Sequence, residues 1–139
     1  MSLERFVTAQ APVYAQALAE LRAGQKQSHW MWFIFPQMIG LGQSAMSRQY
    51  GIISLDEAQR YLAHPVLGTR YRECCQAVMN VRGKSAREIF GAPDDMKLCS
   101  SLTLFAEAAP DELLFFNLLE KYFDGDADEA TLEKISHED

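Results

Sequence analysis

Apolar residues recur at helical spacing along most of this chain. In the first segment Phe6, Ala9, Val13, Ala17, Leu18 and Leu21 share one broad face, which predicts helix over residues 3–23. Pro12 interrupts it, because proline lacks an amide hydrogen and turns Ala11 away from helical geometry. The segment therefore kinks at Pro12 or restarts there, and Gly24 stops it after Arg22. From Ser54 onward the punctuation is regular. Ser54 and Glu57 form a capping box, the hydroxyl accepting from the Glu57 amide and the carboxylate reaching back. That helix turns Leu55, Ala58, Tyr61 and Leu62 inward and halts at His64-Pro65. Pro65 suits the first position of the next helix, which buries Leu67, Tyr71, Cys74, Cys75 and Val78. Ser85 and Glu88 make a second capping box for a short helix ending at Gly91. Pro93 or Asp94 opens a helix with Leu98, Leu102 and Phe105 on its stripe. Pro110-Asp111-Glu112 opens another with Leu114, Phe115, Leu118, Leu119 and Tyr122 inward, and Asp128 caps a last one over 129–136.

The stretch 28–42 has neither period. Trp30, Phe33 and Ile34 fit one helical face, Trp32 and Phe35 another. A short helix ending before Pro36 is expected, then a long turn through Gly40-Leu41-Gly42, with a buried strand as the competing reading. The fold class that follows is all-α: one compact domain over 1–139, a multi-helical array of six to eight short helices. The acidic segment 124–139 caps it or is partly mobile.

Composition narrows the function classes. With 139 residues, 48% hydrophobic and 23% charged, the chain is long enough to bury a core. Its net charge of −6, concentrated towards 124–139, argues against a nucleic-acid partner. No apolar leader follows Met1, and Pro36, Gln37, Gly40, Gly42 and Gln43 break the one run that could imitate a membrane span. Cys74, Cys75 and Cys99 have no metal-ligand spacing and are odd in number, so a cytoplasmic, reducing location is expected, with no cofactor or metal. Asp124-Gly125-Asp126-Ala127-Asp128 lacks the glycine and glutamate positions of a calcium loop and reads as helix capping.

Candidate chemistry gathers in 27–47, where no acidic or basic side chain occurs but His29, both tryptophans, Gln37 and two glycines do. His29 is the candidate acid or base, because imidazole titrates near neutrality; the alternative is a histidine that holds a helix start. Trp30 and Trp32 can stack on a ligand; each taken singly reads as a core residue, but two residues apart on a short helix they face different sides, so at least one is expected to line a cleft. Gly40 and Gly42 with Ser44 and Tyr50 resemble a phosphate loop only in part, since the lysine of such loops is missing. His64 precedes a helix whose first amides could hold an anion, with Arg70 and Arg72 further along; Arg70 could equally pair with Glu73. Asp94, Lys97 and Ser101, with Ser100 and Thr103 beside them, form a polar strip that reads as a solvated surface, or else as a pocket lining. Cys99 reads as an inert core cysteine.

The residues Arg5-Phe6, Ala9-Gln10, His29-Trp30-Met31-Trp32-Phe33-Ile34-Phe35-Pro36-Gln37, Gly40-Leu41-Gly42, Tyr50-Gly51-Ile52, Glu57-Ala58, Tyr61-Leu62-Ala63-His64-Pro65-Val66-Leu67-Gly68, Arg70 and Lys97-Leu98-Cys99-Ser100-Ser101-Leu102-Thr103-Leu104-Phe105 together resemble the bacterial family called domain of unknown function 1810. The resemblance implies a compact, mostly helical single domain and no particular activity. A more distant likeness is to the ADP-ribose-handling N-glycosidases of the NADAR type.

The functional expectation is a small-molecule site, for a phosphorylated or nucleotide-like ligand, walled by Trp30, Trp32 and Tyr50. Gln37, Gly40, Gly42, Ser44, His64, Arg70 and Lys97 complete the expected binding residues, and His29 is the expected catalytic one. The alternative is a non-catalytic helical module that binds a protein partner through exposed Trp32, Met38 and Met46.

Overall fold

A computed structural model describes residues 2–137; Glu138 and Asp139, the last of the acidic segment, lie outside them. The described residues form ten helices: α1 (Glu4–Gln10), α2 (Tyr14–Arg22), α3 (Met31–Ile34), α4 (Ala45–Gln49), α5 (Leu55–Ala63), α6 (Leu67–Asn80), α7 (Ala86–Phe90), α8 (Asp94–Ala108), α9 (Leu113–Phe123) and α10 (Glu129–Ser136). The fold is all-helical, as expected, but ten exceeds the six to eight predicted. Pro12 separates α1 from α2 outright, and the long turn after Pro36 contains the one-turn helix α4. Short helices of this kind carry little apolar periodicity of their own, since tertiary contacts hold them.

The competing strand in the tryptophan run does not form. Met31–Ile34 is a single helical turn closed at Phe35. Beyond it, one isolated parallel bridge joins Met38 to Ile52, the Ile39 amide donating to the Ile52 carbonyl at 2.8 Å and the Ile52 amide to that of Gln37 at 2.9 Å. This bridge ties the segment after Pro36 to the entry of α5.

Helix α8 is the centre, packed against α5, α7, α9 and α10, while α6 packs on α2, α5 and α9. Leu98 through Ala106 are all buried, which corrects the expected solvated strip. Ser100, Ser101 and Thr103 lie inside because each hydroxyl finds a partner. The Ser101 hydroxyl meets that of Tyr71 at 2.9 Å. Thr103 donates to the Cys99 carbonyl at 2.8 Å and accepts from the Asp128 amide at 2.9 Å, joining α8 to the start of α10. Around this axis runs a chain of rings, closest at Tyr71 and Phe105 with centroids 4.3 Å apart.

The capping box of α7 is complete: Ser85 accepts from Glu88 and Glu88 from Ser85. At α5 half of the expected box forms. Ser54 accepts the Glu57 amide at 3.0 Å, but the buried Glu57 carboxylate takes the Ile53 amide and the Arg5 guanidinium instead. Helix α9 begins at Leu113, three residues after Pro110. Among the described residues no helix is long and apolar enough to cross a membrane.

Candidate functional site

The tryptophan segment is held from below by one carboxylate. Glu20, near the end of α2 and buried, accepts from the amides of Gln27 and Ser28, the Ser28 hydroxyl, the Gln16 amide and the Trp30 indole N–H at 2.9 Å. Burial by itself raises the pKa of this group, but the hydrogen bonds from Ser28, Gln27 and Gln16 outweigh it and bring the pKa down to about 2. Trp30 is fully buried, so it belongs to the core and not to a ligand wall, which corrects the expectation for that residue. Trp32, two positions on, points the other way and stays half-buried, as the helical offset requires.

Above Trp32 lies a cleft of about 260 Å³ between the glycine turn and the ends of two helices. Gln37, Leu41 and Gly42 line it from the turn, Met96, Lys97 and Ser100 from α8, and Asp128 and Ala130 from the start of α10. On the other side of Gln37 and Gly42 a smaller recess is lined by Trp32, Ser47 and Tyr50. Gly42 has to be glycine here, because a Cβ would stand 2.4 Å from the Ser47 hydroxyl. The Lys97 ammonium lies 5.5 Å from the centre of the Trp32 ring. Its carboxylate neighbour Asp94 is 3.7 Å away and is drawn closer, to 2.9 Å, by Lys26.

Three donors in this place are uncommitted. Among the described residues, the Lys97 ammonium, the Gln37 side-chain amide and the Trp32 indole N–H hydrogen-bond to no protein atom, whereas the indole of Trp30 has its acceptor. A groove of about 330 Å³ at Arg22, Glu73, Gln76 and Asn80 differs in its hydrogen bonds: Gln76 donates to Asn80 at 3.0 Å and Glu73 accepts the Tyr14 hydroxyl, while its Arg22–Glu73 pair, at 3.8 Å, is as loose as that of Lys97 with Asp94.

The remaining predicted residues sit elsewhere. His29 is exposed before α3 and lines neither the cleft nor the recess. Ser44 caps α4, accepting from the Ser47 amide at 3.1 Å. Gly40, at φ +94°, holds the turn under Lys134 of α10. His64 caps the next helical turn: its Nδ1 accepts the amides of Val66 and Leu67 at 3.1 and 3.3 Å. The amides expected to hold an anion are thereby filled by an imidazole. Arg70 donates to the buried Gln10 at 3.3 Å and lies over the Tyr14 ring, while Glu73 accepts the Tyr14 hydroxyl and does not pair with Arg70. Arg72 is bidentate on Glu112 at 2.7 and 3.0 Å. Tyr50 borders the recess with its ring against Phe6 and Phe33.

The structure thus brings Trp32, Gln37, Gly42, Tyr50 and Lys97 together and leaves His29, Trp30, Ser44, His64 and Arg70 apart. Ser100 and Lys97 take the pocket-lining alternative of the polar strip, while Asp128 and Met96 join the cleft without having been expected there, because only the α8–α10 contact places them beside Gln37. The exposed apolar patch of Trp32, Met38 and Met46 is not formed. Met38 is buried, and among the described residues the exposed large apolar side chains are Ile53, Met96, Leu113 and Phe116. Cys74, Cys75 and Cys99 are free thiols, all buried, and burial pushes the thiol of Cys74 up to about 12 and that of Cys99 to about 11. Among the described residues no group of three or more His, Cys, Asp or Glu side chains could hold a metal ion.

Residues 1–135 match the family described as "Protein of unknown function (DUF1810)". The chain is similar to a crystal structure of the conserved hypothetical protein Rv1873 from Mycobacterium tuberculosis, with 54% identity and a TM-score of 0.96 over 98% of this chain and 97% of that one. The comparison with curated proteins finds no match.

Proposed function

The chain belongs to the DUF1810 family, and we propose that this protein binds a small anionic metabolite, carrying a phosphate or carboxylate group, in the cleft between the glycine turn and the first turns of α8 and α10. One observation carries this reading. Lys97 lies over the indole of Trp32 at the cleft wall, with a loose ion pair and no hydrogen bond among the described residues, beside an equally uncommitted Gln37 amide. Donors held this way recognise an acceptor-rich group, and a desolvated ammonium–carboxylate or ammonium–phosphate contact is the strongest the cleft can supply. The apolar surfaces of Leu41, Met96 and Ala130 receive the rest of the ligand.

The test is a thermal-shift titration in phosphate-free buffer with inorganic phosphate, sugar phosphates and small carboxylates, on wild type and Lys97→Met. A ligand present at about 100 times its Kd stabilises the folded state by about 2.7 kcal/mol and raises Tm. The expected result is a shift with at least one anion class that Lys97→Met removes while keeping its own unliganded Tm. A wild-type protein indifferent to every anion, or a shift that Lys97→Met retains, overturns the reading.

A further inference from the structure

We infer that the ligand is bipolar: an amino acid or 2-hydroxy acid with an apolar side chain, its carboxylate on Lys97 and its amino or hydroxyl group on Asp128. The inference rests on the reading of the cleft as an anion site and adds its second pole. Asp128 is fixed by its own helix. Its Oδ2 takes the Thr131 amide at 3.1 Å, the Thr131 hydroxyl at 2.5 Å and the Ser100 hydroxyl at 3.1 Å, and Thr131 and Ser100 are themselves buried. Its Oδ1 receives no donor among the described residues. A carboxylate oriented through one oxygen and open at the other is a preorganised acceptor.

Lys97 and Asp128 line the same cleft, yet among the described residues they form no ion pair within 4 Å of one another. Opposite charges left apart across a concave space fit a ligand that reaches both. A ligand bearing several phosphates meets the negative charge of Asp128, which selects against it. Leu41, Met96 and Ala130 make the apolar wall for the side chain.

Isothermal titration calorimetry against the twenty amino acids, their 2-hydroxy acids, the matched acids without amino or hydroxyl group, the matched amines and simple phosphate esters tests this. The expected result is one amino or hydroxy acid with an apolar side chain binding at least tenfold more tightly than its matched acid and amine. Asp128→Asn keeps an oxygen for the Thr131 amide but replaces the undonated carboxylate oxygen by an amide donor, so it should erase that gap. Lys97→Met should abolish binding of both the bipolar ligand and the plain acid. A phosphate ester or plain acid that binds as tightly as the best amino or hydroxy acid overturns the bipolar ligand and leaves the anion site standing, as does an unchanged gap in Asp128→Asn. No binding by any compound of the panel overturns both.

Discussion

The indole N–H of Trp30 donates to the carboxylate of Glu20 at 2.9 Å, and that oxygen also receives the amides of Gln27 and Ser28. One buried carboxylate thus sets the path of the chain from α2 into the tryptophan turn and decides which tryptophan is core. Burying a carboxylate is costly unless donors surround it, and here five do.

Glu20 should govern acid stability. Its folded pKa of about 2 lies below the usual 4.5, so its contribution is fully present above pH 4.5 and is lost as pH falls through 2. The depression is worth about 3 kcal/mol. Urea unfolding from pH 7 to pH 2 should show wild type losing about that much in the acid limb, and Glu20→Gln, already weaker at pH 7 by about 2–3 kcal/mol, losing less. An acid limb of equal slope in both proteins contradicts this role.

The two tryptophans should behave oppositely. Trp30→Phe removes the indole donor from the Glu20 carboxylate and leaves space in the core, costing about 2–3 kcal/mol. Trp32→Phe keeps an aromatic face under Lys97 and should cost under about 1 kcal/mol. Acrylamide should quench the fluorescence of Trp30→Phe, which retains Trp32, and hardly touch that of Trp32→Phe.

Gly68 marks the crossing of α5 and α6. A Cβ there would stand 2.0 Å from the Leu62 carbonyl oxygen and 2.8 Å from the Arg72 guanidinium, which itself donates to that carbonyl at 3.0 Å. Backbone cannot yield as a side-chain tip can, so Gly68→Ala should lower stability by about 3 kcal/mol or prevent folding. Gly83→Ala has open space at its Cβ and only a positive φ of 73° against it, so its chemical-denaturation midpoint should fall much less.

Arg5 staples the wall of the smaller recess at Gly51. Its guanidinium bonds the carbonyls of Gln49 and Gly51 at 2.9 Å each and the buried Glu57 at 3.2 Å. Arg5→Met strands the Glu57 carboxylate and should cost about 3–5 kcal/mol. Hydrogen exchange should quicken most over residues 45–53. Uniform change across the chain speaks against a local staple.

Much of this was legible in the chain. The caps at Ser54, Ser85 and Asp128, the break at Pro12 and the inward face of Phe115, Leu118 and Leu119 are local matters, since a cap or a helical stripe is settled within a few residues of itself. So is the divergence of Trp30 and Trp32, which follows from the turn of a helix. What their sequence neighbours could not decide was the partner. Glu20 lies ten residues before Trp30, and only the return of the chain after Gly24 sets the carboxylate under the indole. His64 looked free to leave its helix start to an anion, but its own ring nitrogen reaches the first amides. The serines and threonine of α8 looked solvated, because a period of 3.6 shows which residues share a face and not whether a second helix covers it. Asp128 was readable as a cap and became a wall of the cleft only when α10 folded back on α8. Local geometry depends on neighbours in the chain. Burial, and with it which polar groups remain free to meet a ligand, depends on neighbours in space.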